Sequence, residues 1–248
     1  MRRIRTAGTT LPALLVAAAL ALAATGCGNE KDSADDPEPS APASSASSEP
    51  ATPDSPVAER IKAVNEGMRG TSFHASGTTT ALGGGRQDMW SDPEQGFHMR
   101  MRGKDFTHEI YCKNGTTYMS SAMLADTLKQ RGQRIEVPDR LADTYVTSET
   151  NDGCDVFYRI ADTGKPAPDK DRKVAGKQTT AIAVSDGTTS DTYFLQNGAP
   201  RLLRMDSTRD GRTSTTTYDS FGKKFTITVP PSDKTMPMDE FRRRVTGS

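Results

Sequence analysis

The hydrophobic positions of this 248-residue chain fall into three regimes, each implying a different kind of structure. Leu11 to Ala24 is an uncharged run of apolar and small residues that follows Arg2, Arg3 and Arg5. A bilayer span takes about 20 apolar residues, so this shorter run with its basic start reads as a secretory signal segment over residues 1–26. Residues 27–55 show no hydrophobic period; they are built of Ser, Pro, Ala and carboxylates and predict a tether that buries no core. From residue 56 to residue 248 the pattern becomes periodic, as expected of one folded domain.

That domain opens on a helical period. Ser55 suits a cap and Pro56 the first helical position, while Val57, Ile61, Val64 and Met68 recur on one face. Gly67 and Gly70 are expected to end the helix. The period then changes to alternation, with strands expected over 71–80, 86–91 and from Phe97 to Met101. In the last of these Phe97, Met99 and Met101 point one way and His98, Arg100 and Arg102 the other. Residues 107–112 and 116–120 flank Asn114-Gly115, a favoured two-residue hairpin turn. Residues 122–131 return to helical spacing through Met123, Leu124 and Leu128, with Gly132 as the stop.

Residues 135–170 are the least patterned; short strands are expected at Tyr145-Val146 and at Val156-Phe157-Tyr158, with a helix in this stretch as the alternative. The last third predicts a meander of strands over 173–184, 189–196, 200–208, 212–220 and 223–229. Asp186-Gly187, Asn197-Gly198, Asp210-Gly211 and Phe221-Gly222 supply its turns, and Pro230-Pro231 closes it.

Charge changes the picture in one respect. The formal net charge is zero, yet residues 27–55 carry seven carboxylates against Lys31, leaving a mildly basic domain behind an acidic tether. Scattered cations of this kind give no nucleic-acid footprint. The Arg242-Arg243-Arg244 cluster reads as a solvated end, with contact to anionic lipid as the alternative.

Ala24-Thr25-Gly26-Cys27 resembles the lipobox of bacterial lipoproteins, in which cleavage precedes a cysteine bearing a diacylglyceryl group; Ala24 departs from the Leu that family favours. The resemblance implies lipidation of Cys27 and anchorage on the extracytoplasmic face of the cell membrane. Two or three acyl chains hold firmly where one holds marginally, at about 0.8 kcal/mol per buried methylene. The tether then spans roughly 30 Å as a flexible coil.

The order of elements carries a second resemblance. A tether, an amphipathic helix, a hairpin such as Tyr111-Cys112-Lys113-Asn114-Gly115, a helix, the Val174-Ala175-Gly176 step and the strand–turn from Tyr193 to Arg201 resemble the LppX/LprG lipoproteins. Those proteins share the LolA-like fold, so the resemblance implies an α+β domain with a strongly curved antiparallel sheet, a half-open barrel whose concave face helices cover. Some members hold acylated lipids between sheet and helices.

Candidate chemistry is sparse. His108-Glu109-Ile110-Tyr111-Cys112 begins like a zinc-protease motif but has Cys112 at the second histidine position and sits in a strand pattern. His74 and His98 have no nearby sequence partner, and no nucleophile elbow or phosphate loop occurs, so no enzyme, metal site or cofactor is expected. Cys112 and Cys154 are expected to pair in an oxidising compartment, with two separate buried thiols as the alternative. Met89, Phe97, Met99, Met101, Met119, Met123, Leu203 and Met205 would give an adaptable apolar lining for acyl chains; the other reading makes them an ordinary core.

The functional expectation is a membrane-anchored monomer that binds or carries an acylated lipid or other amphipathic ligand. The alternative is a non-enzymatic surface module that binds an envelope protein or senses envelope state, its interior filled by side chains.

Overall fold

The computed structural model describes residues 55–150 and 152–246. The signal segment, Cys27 and all of the tether up to residue 54 lie outside the described residues.

Helix α1 spans Pro56–Arg69. The Ser55 hydroxyl accepts from the Ala58 N–H at 3.2 Å, satisfying one of the donors a helix start leaves free. Pro56 sets φ at the first turn without removing a needed donor. Ile61, Val64 and Met68 are buried along one side, as their spacing requires. Gly70 supplies the C-cap, its N–H bonding to the Glu66 carbonyl at 2.9 Å. Gly67 does not end the helix. It lies inside it, where a Cβ would stand 2.4 Å from the Pro200 carbonyl oxygen, so glycine lets the helix press onto that turn.

Among the described residues thirteen strands form one curved, unclosed sheet in an α+β arrangement. They are β1 Phe73–Thr79, β2 Gly85–Asp92, β3 Gly96–Arg102, β4 Thr107–Lys113, β5 Thr116–Ser120, β6 Tyr145–Glu149, β7 Lys165–Pro166, β8 Arg172–Val174, β9 Lys177–Asp186, β10 Thr189–Gln196, β11 Leu202–Arg209, β12 Arg212–Asp219 and β13 Thr235–Pro237. Helices α2, Ser121–Gln130, and α3, Met238–Thr246, complete the set. The strand order is β13-β6-β5-β4-β3-β2-β1-β12-β11-β10-β9-β7, with β8 also on β9. Two meanders are thus joined where β1 pairs with β12. The sheet is mixed rather than wholly antiparallel, since β13 runs parallel to β6.

Register sorts side chains between two faces. On the inner face Ala75, Met89, Met99, Ile110, Met119 and Val146 are successive cross-strand neighbours from β1 to β6. Helix α1 packs there, in a core with Phe73, Met89 and Phe97, and Met123 of α2 joins Met101 and Ile110 in a smaller cluster. On the outer face His74, Trp90, His98 and Tyr111 form the matching row, with ring centroids 4.2–5.4 Å apart. The expected one-sidedness of β3 therefore holds, but His98 is sandwiched between rings rather than left to solvent.

Three stretches differ from the alternation-based expectation, and a C-terminal helix adds to it. The 173–184 strand is broken at Ala175 and Gly176, both at positive φ (47° and 76°), into the β8–β9 hairpin. Val156-Phe157-Tyr158 is no strand: Cys154–Phe157 is a 3-10 turn. Helix α3 occupies the arginine-rich end and buries Phe241 against Leu141, Val146 and Met236. Residues 223–229 keep their alternation, with Ile227 buried, but pair with no strand. The chain from β12 must reach β13 across seven interstrand steps, about 34 Å at ~4.8 Å each, so it runs across the strands instead of along them.

Candidate functional site

On the inner face lies a cleft of about 330 Å³. Its floor is Met89 from β2, Met99 from β3, Met205 from β11 and Tyr218 from β12; Phe157 and Gln130 at the end of α2 bound it, and Thr79, Thr80, Arg209 and Arg212 stand at its rim. The sheet brings the floor together because Met89 and Met99 are cross-strand partners. Met205 reaches it from β11, beyond the β1–β12 junction. Methionines suit such a surface, since an unbranched thioether repacks around irregular apolar groups.

Phe157 is held over this face by several restraints on residues 154–160. Cys154 is disulfide-bonded to Cys112 of β4, with Cα atoms 5.5 Å apart. Phe157 stacks on Phe97 at 4.7 Å, and Tyr158 meets Phe73 edge-on at 5.0 Å. Arg69 of α1 binds Asp155 at 2.9 Å. The Asn65 side chain donates to the Ile160 carbonyl at 2.8 Å and accepts from the Ile160 N–H at 3.0 Å. These contacts make the irregular segment part of the wall.

The rim is polar and internally braced. Asp191 of β10, nearly buried, accepts from Arg209 Nη2 at 3.2 Å, from the Tyr193 hydroxyl at 3.3 Å and from the Ser207 hydroxyl. A carboxylate with this little water is tolerated only because those donors face it. Burial, then the adjoining Asp191 charge, pushes the Tyr193 phenol well above its ordinary range; burial does the same to Tyr218. Both remain neutral donors at any physiological pH.

A second cleft, of about 560 Å³, opens on the outer face beside Glu109, Tyr111 and Tyr145, with residues 228–231 along its other side. Glu109 accepts from Arg100 Nε at 2.7 Å and from the hydroxyls of Tyr145 at 3.0 Å and Tyr111 at 3.2 Å. Burial alone would raise its pKa, but the bonds from Arg100 and Tyr145 outweigh that and hold it below the usual carboxylate range. Burial lowers the His98 pKa, against the pull of Glu109. Burial and the neighbouring Glu109 push Tyr111 up to about 12. With its lone pairs taken, Glu109 cross-links β3, β4 and β6 and is not poised for proton transfer.

Of the residues singled out from sequence, Met89, Met99 and Met205 meet in the inner cleft. Phe97 lies beneath Phe157 in the main core, Met101 and Met123 sit together beside Ile110, and Met119 packs between that cluster and the one around Phe241. Leu203 is elsewhere: the register shift between Phe194 and Leu195 leaves it on the outer face with Phe194, Ala181 and Val174. Phe157, Tyr218, Gln130 and the two rim arginines were not singled out. Only Tyr218 had a usable signal, its place on the inward side of an alternating strand.

Among the described residues no group of three or more His, Cys, Asp and Glu side chains could hold a metal ion, and no helix is long and apolar enough to cross a membrane. His108, at the start of the zinc-protease-like run, bonds Asp126 of α2 at 2.9 Å and stacks on Phe106.

No protein-family model matches the sequence, and no curated protein matches it. Similar solved structures include LprF from Mycobacterium bovis, at 13% identity and TM-score 0.40, covering 72% of this chain and 99% of that one. Lipoprotein LppX from Mycobacterium tuberculosis is 10% identical at TM-score 0.41, covering 71% and 100%. A LolA superfamily protein from Nitrosomonas europaea is 8% identical at TM-score 0.28, covering 71% and 94%. These are likenesses of fold alone.

Proposed function

We propose that this chain is a non-enzymatic, lipid-anchored extracytoplasmic protein that holds an acyl chain of an amphipathic molecule in the inner cleft. The observation that supports this reading is the cleft itself: a methionine and aromatic floor opening onto a rim of arginines and hydroxyls. An amphipathic ligand needs both surfaces in that order, apolar burial for the chain and charged or hydroxyl partners for its polar end. At about 330 Å³ the cleft lies at the low end of small-molecule sites, roughly 300–1,000 Å³, and so accommodates one chain rather than several. Affinity then comes from buried methylenes, at about 0.8 kcal/mol each, less the cost of ordering the chain.

In this reading Cys27 carries the diacylglyceryl group, residues 1–26 are removed, and residues 27–55 tether the domain of residues 56–248 to the outer side of the cell membrane. The protein acts as a monomer without cofactor. With a tether reaching only tens of ångströms, transfer is a local hand-over between the membrane surface and an acceptor close to it.

Fluorescently labelled hexadecanoate tests the site. The full chain should bind one equivalent saturably, Met205→Trp should abolish binding by filling the cleft, and Phe157→Ala should widen it and admit a bulkier probe. Unchanged binding by Met205→Trp, with a parental melting profile, would place the probe elsewhere and reject the cleft.

A further inference from the structure

Residues 224–230 belong to no helix or strand, unlike the chain around them. Among the described residues, none of their backbone N–H or C=O groups makes a hydrogen bond: the flanking bonds are Gly222 N–H to Ser72 and Lys223 N–H to Ser220 on one side and Lys234 N–H to Pro231 on the other. Their side chains nevertheless alternate. Ile227 is buried, Phe225 and Val229 are half-buried, and Lys224, Thr226 and Thr228 are exposed. The segment is therefore anchored through one side while its backbone groups stay unpaired, the condition in which a strand recruits another.

The reason lies in the topology. Crossing the outer face from β12 to β13 forbids pairing with the strands beneath, because the crossing chain runs transverse to them. Alongside its far end lies the outer cleft of about 560 Å³, bounded by Tyr111, Tyr145 and the 228–231 backbone. Lys223, Lys224 and Lys234, all exposed, flank the segment, with Asp233 the one carboxylate beside them in the chain; Glu109 and Asp143 line the adjoining cleft.

The geometry points to a peptide-docking edge: an extended, acidic peptide segment of a partner protein adds as a strand beside residues 224–229, its main chain bonding the free N–H and C=O groups and its carboxylates meeting the lysines. Main-chain pairing supplies affinity in such strand addition, and alternate side chains entering the adjoining cleft supply selectivity. This site is separate from the inner cleft and does not depend on lipid binding.

Hydrogen exchange read by mass spectrometry on the full chain tests it. The probes are a synthetic nonapeptide alternating valine with aspartate and glutamate, and the same peptide with lysine at the acidic positions. In the free protein the amides of residues 224–229 should exchange rapidly. The acidic peptide should slow them at least tenfold and the basic peptide should not. Thr226→Pro, which removes a donor the fold does not use, should erase this protection with no loss of melting temperature. Lys223→Glu with Lys224→Glu should reverse the preference between the peptides. Slow exchange in the free chain, equal protection by both peptides, or no protection by either overturns the assignment.

Discussion

Replacing Cys112 and Cys154 together by alanine tests how the cleft wall is held. The disulfide joins residues 42 apart, and in the chain-entropy description closing a loop of that length restricts the unfolded state by about 4 kcal/mol. The other ties on the same segment are weaker. The Arg69–Asp155 pair has a half-exposed arginine and contributes about 0–1 kcal/mol, and the two Asn65–Ile160 bonds contribute about 0.5–1.5 kcal/mol each. The disulfide is thus the largest single restraint on Phe157. For a domain of this size a kilocalorie shifts the melting midpoint by about 2–4 °C, so the double variant should melt roughly 8–16 °C lower. Differential scanning calorimetry measures the shift, and hydrogen exchange over residues 155–160 shows whether the wall loosens first. A midpoint within about 3 °C of the parent, with unchanged exchange there, would refute the reasoning, because the loop would already be closed in the unfolded ensemble or held by something else.

Two further outcomes follow from packing and charge. Gly67→Ala drives a Cβ to 2.4 Å from the Pro200 carbonyl, so α1 must shift; urea unfolding should show a loss of about 1–3 kcal/mol despite alanine's better helix propensity. Acidification should destabilise the domain in two steps. The His98 pKa is depressed in the fold, so the unfolded chain takes up the proton first and stability declines from roughly pH 6.5 downward. Glu109 and Asp206 are also depressed, and their stabilisation, present above about pH 4, is lost as pH falls through their folded values. Urea midpoints measured across pH should show both limbs, and His98→Phe should remove the upper one alone. Loss of the lower limb instead would show that the histidine is not its source.

The alternating stretches were legible because their register has one apolar side. Residues 189–196 coincide with β10, and Ser55, Pro56, Ile61, Val64 and Met68 placed α1 from capping and period alone. What escaped the pattern did so for topological reasons. Phe225, Ile227 and Val229 alternate like a strand, but no local signal says that their segment must cross seven strand spacings, which rules out pairing. Phe157 sits in a 3-10 turn placed by a disulfide and by contacts from α1, so its role depends on residues 65, 69, 97 and 112 rather than on its neighbours. Leu203 alternates with Met205 in sequence and lands on the other face because one bulge shifts the register. Three of the four floor residues were readable as inward methionines; Phe157 and Gln130, which bound the cleft from outside the sheet, were not.

Native mass spectrometry of the full chain purified from its own host tests the central claim most directly. The account predicts a co-purified amphiphile at one per chain, displaced by added hexadecanoate and missing from Met205→Trp. Reproducible absence of any such molecule, or its retention by Met205→Trp at parental occupancy, would contradict it.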